Sequence, residues 1–239
     1  GDDEREHLGR QAEMLPLVVT ANLARGAIRM SRNKVIVKRL ASIENFGSMN
    51  VLCSDKTGTL TEGVVELKSA LDLEGRESEK ALFYAYLNAC FETGFKNPLD
   101  EAIRNHREFD LSGWRKIDEV PYDFVRKRLS VVVQAQVGTA LAGAQRLAQG
   151  QPLINGQRLL ITKGALDNVL TVCTQVQDGE ATVPLDDPHR AQIQQRYVAW
   201  SGQGFRVLGV AIKPVPPQPT YTRADEHDLT FVGFLLFFD

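Results

Sequence analysis

Asp55 stands among residues that suit phosphoryl chemistry: Ser54-Asp55-Lys56-Thr57-Gly58-Thr59-Leu60-Thr61 sets one carboxylate beside a cation, three threonines and a glycine. A carboxylate held in line with a transferable phosphoryl group can attack it and form an acyl phosphate, splitting one hard step into two. Lys56 would stand near developing phosphate charge, and Thr57, Gly58 and Thr59 would offer hydroxyl and backbone N–H donors to phosphate oxygens. The bland alternative is a strand followed by an ordinary Thr/Gly turn. No GxxxxGK[ST] occurs, so a P-loop route to a nucleoside triphosphate is not supported.

Elements must position such a carboxylate. The apolar run 49–54 (MNVLCS), bounded by Gly47 and the Thr/Gly cluster, predicts a buried strand with Asp55 at its C-terminal end, where ligands collect in open α/β sheets. Further on, Ala81, Tyr84, Leu87 and Phe91 recur at helical spacing and predict a helix over 77–92, and a second helix follows Pro98. Branched apolar runs predict strands at 129–135, 158–163 and 205–212, with helices at 165–173 and about 188–201. Val137–Gly156 reads as a surface excursion and the proline cluster 214–219 as a semi-rigid connector. Leu229–Phe238 is so apolar that it wants neighbours on both faces, and the chain supplies few in sequence.

Composition is that of an ordinary globular chain: 239 residues, 43% apolar and 24% charged. A net charge of −2 gives no electrostatic footprint for nucleic acid. Cys53, Cys90 and Cys173 lack CxxC spacing, which argues for buried thiols in a reducing compartment rather than a disulfide framework or zinc site. Met14–Ala24 is about half the ~20 apolar residues a spanning helix needs and is interrupted by Pro16. Arg25, Arg29, Arg32, Lys34, Lys38 and Arg39 follow it, the bias of a chain emerging on the cytoplasmic side, although an amphipathic core helix with a basic face reads equally well.

The 54–61 stretch resembles the phosphorylation signature of P-type ATPases at every defining position, and the resemblance runs on through the chain, closest to the bacterial magnesium-transporting branch. It implies a mixed α/β fold: an antiparallel-sheet nucleotide-binding domain with flanking helices, inserted in a partial haloacid-dehalogenase-like Rossmannoid phosphorylation domain. It implies Asp55 as nucleophile with Lys56 and Thr57 as catalytic partners, ATP as ligand, and Mg2+ held at Asp55 and Thr57. Thr93–Asp100 is similar to the family's segment beside the adenine, with Asp100 at the position of an acidic residue that contacts the base; Asn97-Pro98 is also a competent helix start. Pro121–Val131 resembles the strand pair that presents an aromatic ring and a basic residue, implying Phe124 as the stacking ring. Of Arg126, Lys127 and Arg128, strand alternation lets only some reach a nucleotide, and Lys127 takes that role. Thr162-Lys163-Gly164-Ala165 resembles the Lys-Gly-Ala motif, with Gly164 sparing bulk where a nucleotide approaches. Gly204–Leu208 resembles the segment whose arginine, here Arg206, reaches the phosphates.

Phosphatases of the haloacid dehalogenase superfamily carry an acid–base aspartate two positions after the nucleophile. Thr57 stands there instead, so the phosphoenzyme should persist, as a pump requires. Glu13-Met14-Leu15-Pro16 looks like the ion-site segment of the magnesium branch, but Ala12 replaces the family's proline and 1–11 is polar, which reads as a foreign head on a truncated chain. The expected divisions are a head at 1–11, a transmembrane or stalk remnant at 12–30, the start of the phosphorylation domain at 31–65, the nucleotide-binding domain at 66–228 and a return strand at 229–239. The implied function is ATP hydrolysis through an aspartyl phosphate, coupled to transport of a divalent cation, magnesium by resemblance, in a bacterial inner (plasma) membrane protein. This piece would be its cytoplasmic part, inactive alone and joined to the membrane through missing segments. A soluble aspartyl-phosphate phosphatase and a non-catalytic nucleotide-sensing module are the alternatives.

Overall fold

The computed structural model describes residues 2–55, 65–94, 97–135 and 156–238, with backbone alone for 2–15. It divides into two compact units, Gly1–Asp55 and Lys56–Asp239.

The first unit holds helix α1 (Asp2–Arg32), which carries Pro16 inside it, and the short helix α2 (Ser42–Phe46). The head at 1–11 and the remnant at 12–30 are thus one helix across 2–30. No helix among the described residues is long and apolar enough to cross a membrane. The strand expected at 49–54 is not formed: these residues have no regular structure, and Met49, Val51 and Leu52 are exposed. A buried strand needs hydrogen-bonding partners at its edges and apolar cover on its faces, and this unit contains helices but no strand among its described residues.

The second unit is built on a sheet of strands β1 (Glu66–Leu71), β2 (Trp114–Asp123), β3 (Arg128–Ala135), β4 (Arg158–Ala165), β5 (Cys173–Asp178), β6 (Ala181–Pro184), β7 (Arg206–Val215) and β8 (Leu229–Phe238). Their order is β2-β3-β4-β7-β8-β5-β6, with β1 also paired to β8. Every pairing is antiparallel except β5 with β8. Helices α3 (Glu79–Phe91) and α4 (Pro98–His106) cover one face, and α5 (Leu166–Leu170) and α6 (Asp187–Gly202) cover the other.

The run at Leu229–Phe238 finds the neighbours it needs inside this sheet. β8 pairs with β7 along one edge, while β1 and β5 share the other. It is therefore an interior strand of the second unit rather than a separate return strand, and Phe231, Phe234 and Phe237 are fully buried from opposite faces. Pattern reading gave no strand over 114–120, and only the resemblance at Pro121–Val131 implied a strand pair there, because WRKIDEVPYD is charged and contains Pro121. β2 lies at the end of the strand order, and an edge strand tolerates both features.

Helix α3 is buried almost all round rather than along the stripe its spacing suggests, as expected of a helix enclosed in a large core. Asn88, midway along it, donates its Nδ2 to the Ile161 carbonyl at 2.8 Å and ties the helix to β4. Helix α4 starts as its sequence predicts: the Asn97 side chain accepts from Leu99 N at 3.0 Å and Pro98 occupies the first turn. The connector 214–219 is tied rather than loose, since Tyr221 donates its hydroxyl to the Pro216 carbonyl and Arg158 donates to the Gln218 carbonyl, both at 2.7 Å.

Candidate functional site

Asp55 is exposed in irregular chain at the end of the first unit. Lys56 and Thr57 lie outside the described residues, as does nearly all of the 137–156 excursion. Among the described residues no group of three or more His, Cys, Asp or Glu is arranged to hold a metal ion. Asp55 thus brings a single carboxylate, which by itself does not make a magnesium site.

The other expected site residues gather at one end of the second unit's sheet. Register explains the meeting: Arg128 pairs with Gly164 and Leu129 with Lys163 between β3 and β4, while Ala165 pairs with Leu208 and Lys163 with Val210 between β4 and β7. The turn 124–127, the end of β4 and the start of β7 are therefore neighbours. Cross-strand partners share a face and alternate residues repeat it, so Lys163, Val210, Leu208 and Arg206 all fall on the face that α3 and α4 cover. Arg206 stands four residues from Val210, about 13 Å along the strand direction at the backbone.

Lys163 and Asp100 form a buried ion pair, their residues 4% and 2% exposed. Burial pulls the Lys163 ammonium down to about 8, with Glu92 and Cys90 opposing it. Burial likewise raises Glu92, which Lys163 partly offsets, and the Oε2 of Glu92 is buried without a hydrogen-bond partner. Beside them, Glu119 accepts from Thr93 Oγ1 at 2.7 Å and from Lys116 Nζ at 2.5 Å. The floor of the site is thus a charged cluster at the C-terminal end of α3, and sequence reading found only Lys163 and Asp100 of it. Glu92 and Glu119 lie far apart in sequence from Lys163, so nothing local marked them.

The turn lies at the same end of the sheet. Phe124 is 87% exposed, and its ring meets Tyr122 edge-on with centroids 5.4 Å apart. Tyr122, which sequence reading passed over, is half exposed and lies in the β-bulge opposite Leu129, the cross-strand partner of Lys163. The Asp123 carboxylate accepts from the amides of Val125 at 2.7 Å and Arg126 at 3.2 Å, and those amides lower its pKa. Lys127 adopts a left-handed backbone with φ 49°, costly for a residue with a side chain.

Gly164 makes that conformation possible. A Cβ on Gly164 would lie 2.4 Å from the Lys127 carbonyl oxygen and 2.6 Å from Arg128 Cα, and Ala165 donates its amide to that same oxygen at 2.9 Å. The space spared by the glycine is filled by the turn's backbone. Of the three basic residues, Arg126 and Arg128 are both held by Glu226. Lys127 is exposed and, like Arg206, has no ion-pair partner among the described residues. The site therefore shows an exposed aromatic ring, two cations without an ion-pair partner among the described residues, and a buried charged cluster.

A mostly antiparallel sheet with a helical layer on each face is consistent with the nucleotide-binding domain of a P-type ATPase. The family model described as P-type ATPase, cytoplasmic domain N, matches residues 42–239, and the chain belongs to the P-type ATPase family. It is 42% identical over 238 residues to the magnesium-transporting ATPase, P-type 1, of Escherichia coli K12, covering 97% of this chain and 24% of that protein. It is 29% identical over 236 residues to the human calcium-transporting ATPase type 2C member 1, covering 87% of this chain and 25% of that one. Against plasma membrane ATPase 2 of Schizosaccharomyces pombe the identity is 32% over 206 residues, covering 83% and 18%. The chain spans about a quarter or less of the length of these relatives.

Proposed function

We propose that the second unit binds ATP at the sheet end formed by the 124–127 turn, the end of β4 and the start of β7. The observation that carries this reading is that Phe124 and Lys127 are both exposed in one turn, at the sheet end that also holds the buried Lys163–Asp100 pair. Phe124, with Tyr122 against it, offers a π-face to the base. Lys127 and Arg206 meet the phosphates, whose charge suits cations that have no ion-pair partner among the described residues. Asp100 faces the base from the first turn of α4, Lys163 sets the charge of the floor, and Gly164 lets the turn close.

In the whole protein, ATP bound here would phosphorylate Asp55, assisted by Lys56 and Thr57. Mg2+ would accompany the nucleotide and be held at Asp55 and Thr57, with further ligands supplied from elsewhere. The energy would drive a divalent cation across a bacterial inner membrane, this part lying on the cytoplasmic side. Magnesium is the preferred ion, supported by the 42% identity to a magnesium-transporting ATPase.

Titrating ATP against the folded chain while following amide resonances tests the binding. Shifts should concentrate on 122–127, 163–164 and 206 as ATP rises toward about 1 mM, the upper end of ordinary substrate constants. Absence of such shifts, or an unchanged titration in both Phe124→Ala and Lys127→Ala, would overturn the reading. Cation uptake by cells carrying the full reading frame, with and without Asp55→Asn, tests the transport assignment.

A further inference from the structure

Behind the turn, on the sheet face opposite Lys163, a second charged cluster is built around a buried carboxylate. The Glu226 side chain is 0% exposed. Its Oε2 accepts from Arg126 and, at 2.9 Å, from Arg128 Nε; its Oε1 accepts from Ser130 Oγ at 2.6 Å. Ser130 Oγ in turn lies 2.7 Å from Thr162 Oγ1. The two arginines reach onward, Arg126 to the Pro121 carbonyl at 2.7 Å and Arg128 to the Asn168 carbonyl at 2.9 Å. Nearby, Arg223 reaches the Asp123 carboxylate at 2.9 Å from the same connection between β7 and β8.

We propose that Glu226 is a positioning residue for nucleotide binding: from the rear face it clamps both residues flanking Lys127, so that the turn presents Phe124 and Lys127 to the ligand. This inference rests on the reading of that turn as a nucleotide contact. The physical case has three parts. A carboxylate with no solvent exposure is retained at a high desolvation cost unless paired and hydrogen-bonded, and here every partner belongs to the strands or turn of the site. Lys127, held in a strained left-handed conformation, persists only where its surroundings over-determine it, and the clamp acts on residues 126 and 128. The clamp also commits two of three adjacent cations to internal work, leaving Lys127 alone for phosphate. A pre-set turn loses less freedom on binding, which raises affinity without any new contact.

Hydrogen exchange and ATP titration on the full chain with Glu226→Gln test this. The amides of Val125, Arg126, Lys127 and Ala165 should exchange about tenfold faster or more, the size expected for losing a charge-assisted tie. ATP affinity should fall by about tenfold as well, with the β5–β6 hairpin unchanged. Ser130→Ala, which removes one hydrogen bond and keeps both arginine ties, should move the same amides by less and carries the test if Glu226→Gln does not fold. Faster exchange spread evenly over the unit, or a loosened turn with unchanged ATP affinity, would overturn the positioning role. A wild-type chain with no ATP response would sink the nucleotide reading and the binding half of this one, while the exchange data would still decide whether Glu226 holds the turn.

Discussion

The Lys163–Asp100 pair should behave as a buried ion pair rather than as two independent ligands, and a double-mutant cycle measures it. Both residues are almost wholly enclosed, so Lys163→Met leaves an uncompensated carboxylate and Asp100→Leu an uncompensated ammonium. Each single change should cost about 3–5 kcal/mol. For a unit of this size that corresponds to a fall in melting temperature of roughly 6–20 °C. The double variant Lys163→Met/Asp100→Leu removes both charges and should cost no more than either single change, giving a coupling of at least about 3 kcal/mol, beyond the ~0.5 kcal/mol scatter of additive sites. Urea unfolding monitored by circular dichroism supplies the four free energies. Singles that each cost under about 1 kcal/mol, or a double equal to their sum, would refute the assignment of a coupled buried pair. The cycle also guards interpretation of binding data, because a Lys163 variant that loses ATP through misfolding says nothing about contact.

Gly164→Ala should destabilise by about 1–3 kcal/mol, because its Cβ meets backbone rather than a flexible side chain; urea midpoints give the answer. Lys127→Ala should leave stability within about 0.5 kcal/mol of wild type. Its ATP affinity should drop about fivefold, roughly 1 kcal/mol for one exposed charge near phosphate, and calorimetry at rising salt should shrink the difference. Burial raises the Cys173 thiol from 9.0 to about 12, so the folded chain keeps a proton that the unfolded chain releases. That contribution to stability is complete below pH 9 and is lost as pH rises toward 12, at up to about 1.4 kcal/mol per unit. The difference between wild-type and Cys173→Ala stability profiles isolates it from Lys163, whose lowered ammonium works with the opposite sign above about pH 8.

Much of this chain was legible because its signals are local. Asn97-Pro98 caps and starts α4, branched runs form β3, β4 and β7, and the family resemblance implied the mixed α/β class. The motif residues Asp55, Phe124, Lys163 and Gly164 stood out by type and company. What failed did so for one reason, that burial depends on neighbours distant in sequence. MNVLCS is apolar enough for a strand, yet among the described residues its unit offers no strand edge to pair with; LTFVGFLLFF lies at the far end of the chain and still becomes an interior strand, because β1, more than 150 positions earlier, returns to its edge.

The sequence by itself determined which residues carry charge, aromatic surface and conformational freedom, and the family to which their order belongs. Only the tertiary structure decided which charges are spent internally. Lys163, singled out by its motif, is paired with Asp100; of the three adjacent basic residues, Arg126 and Arg128 are held by Glu226, a residue without a motif. The physical reason is that an ionic partner is chosen by proximity and enclosure in a low-dielectric interior, and neither is written in local spacing.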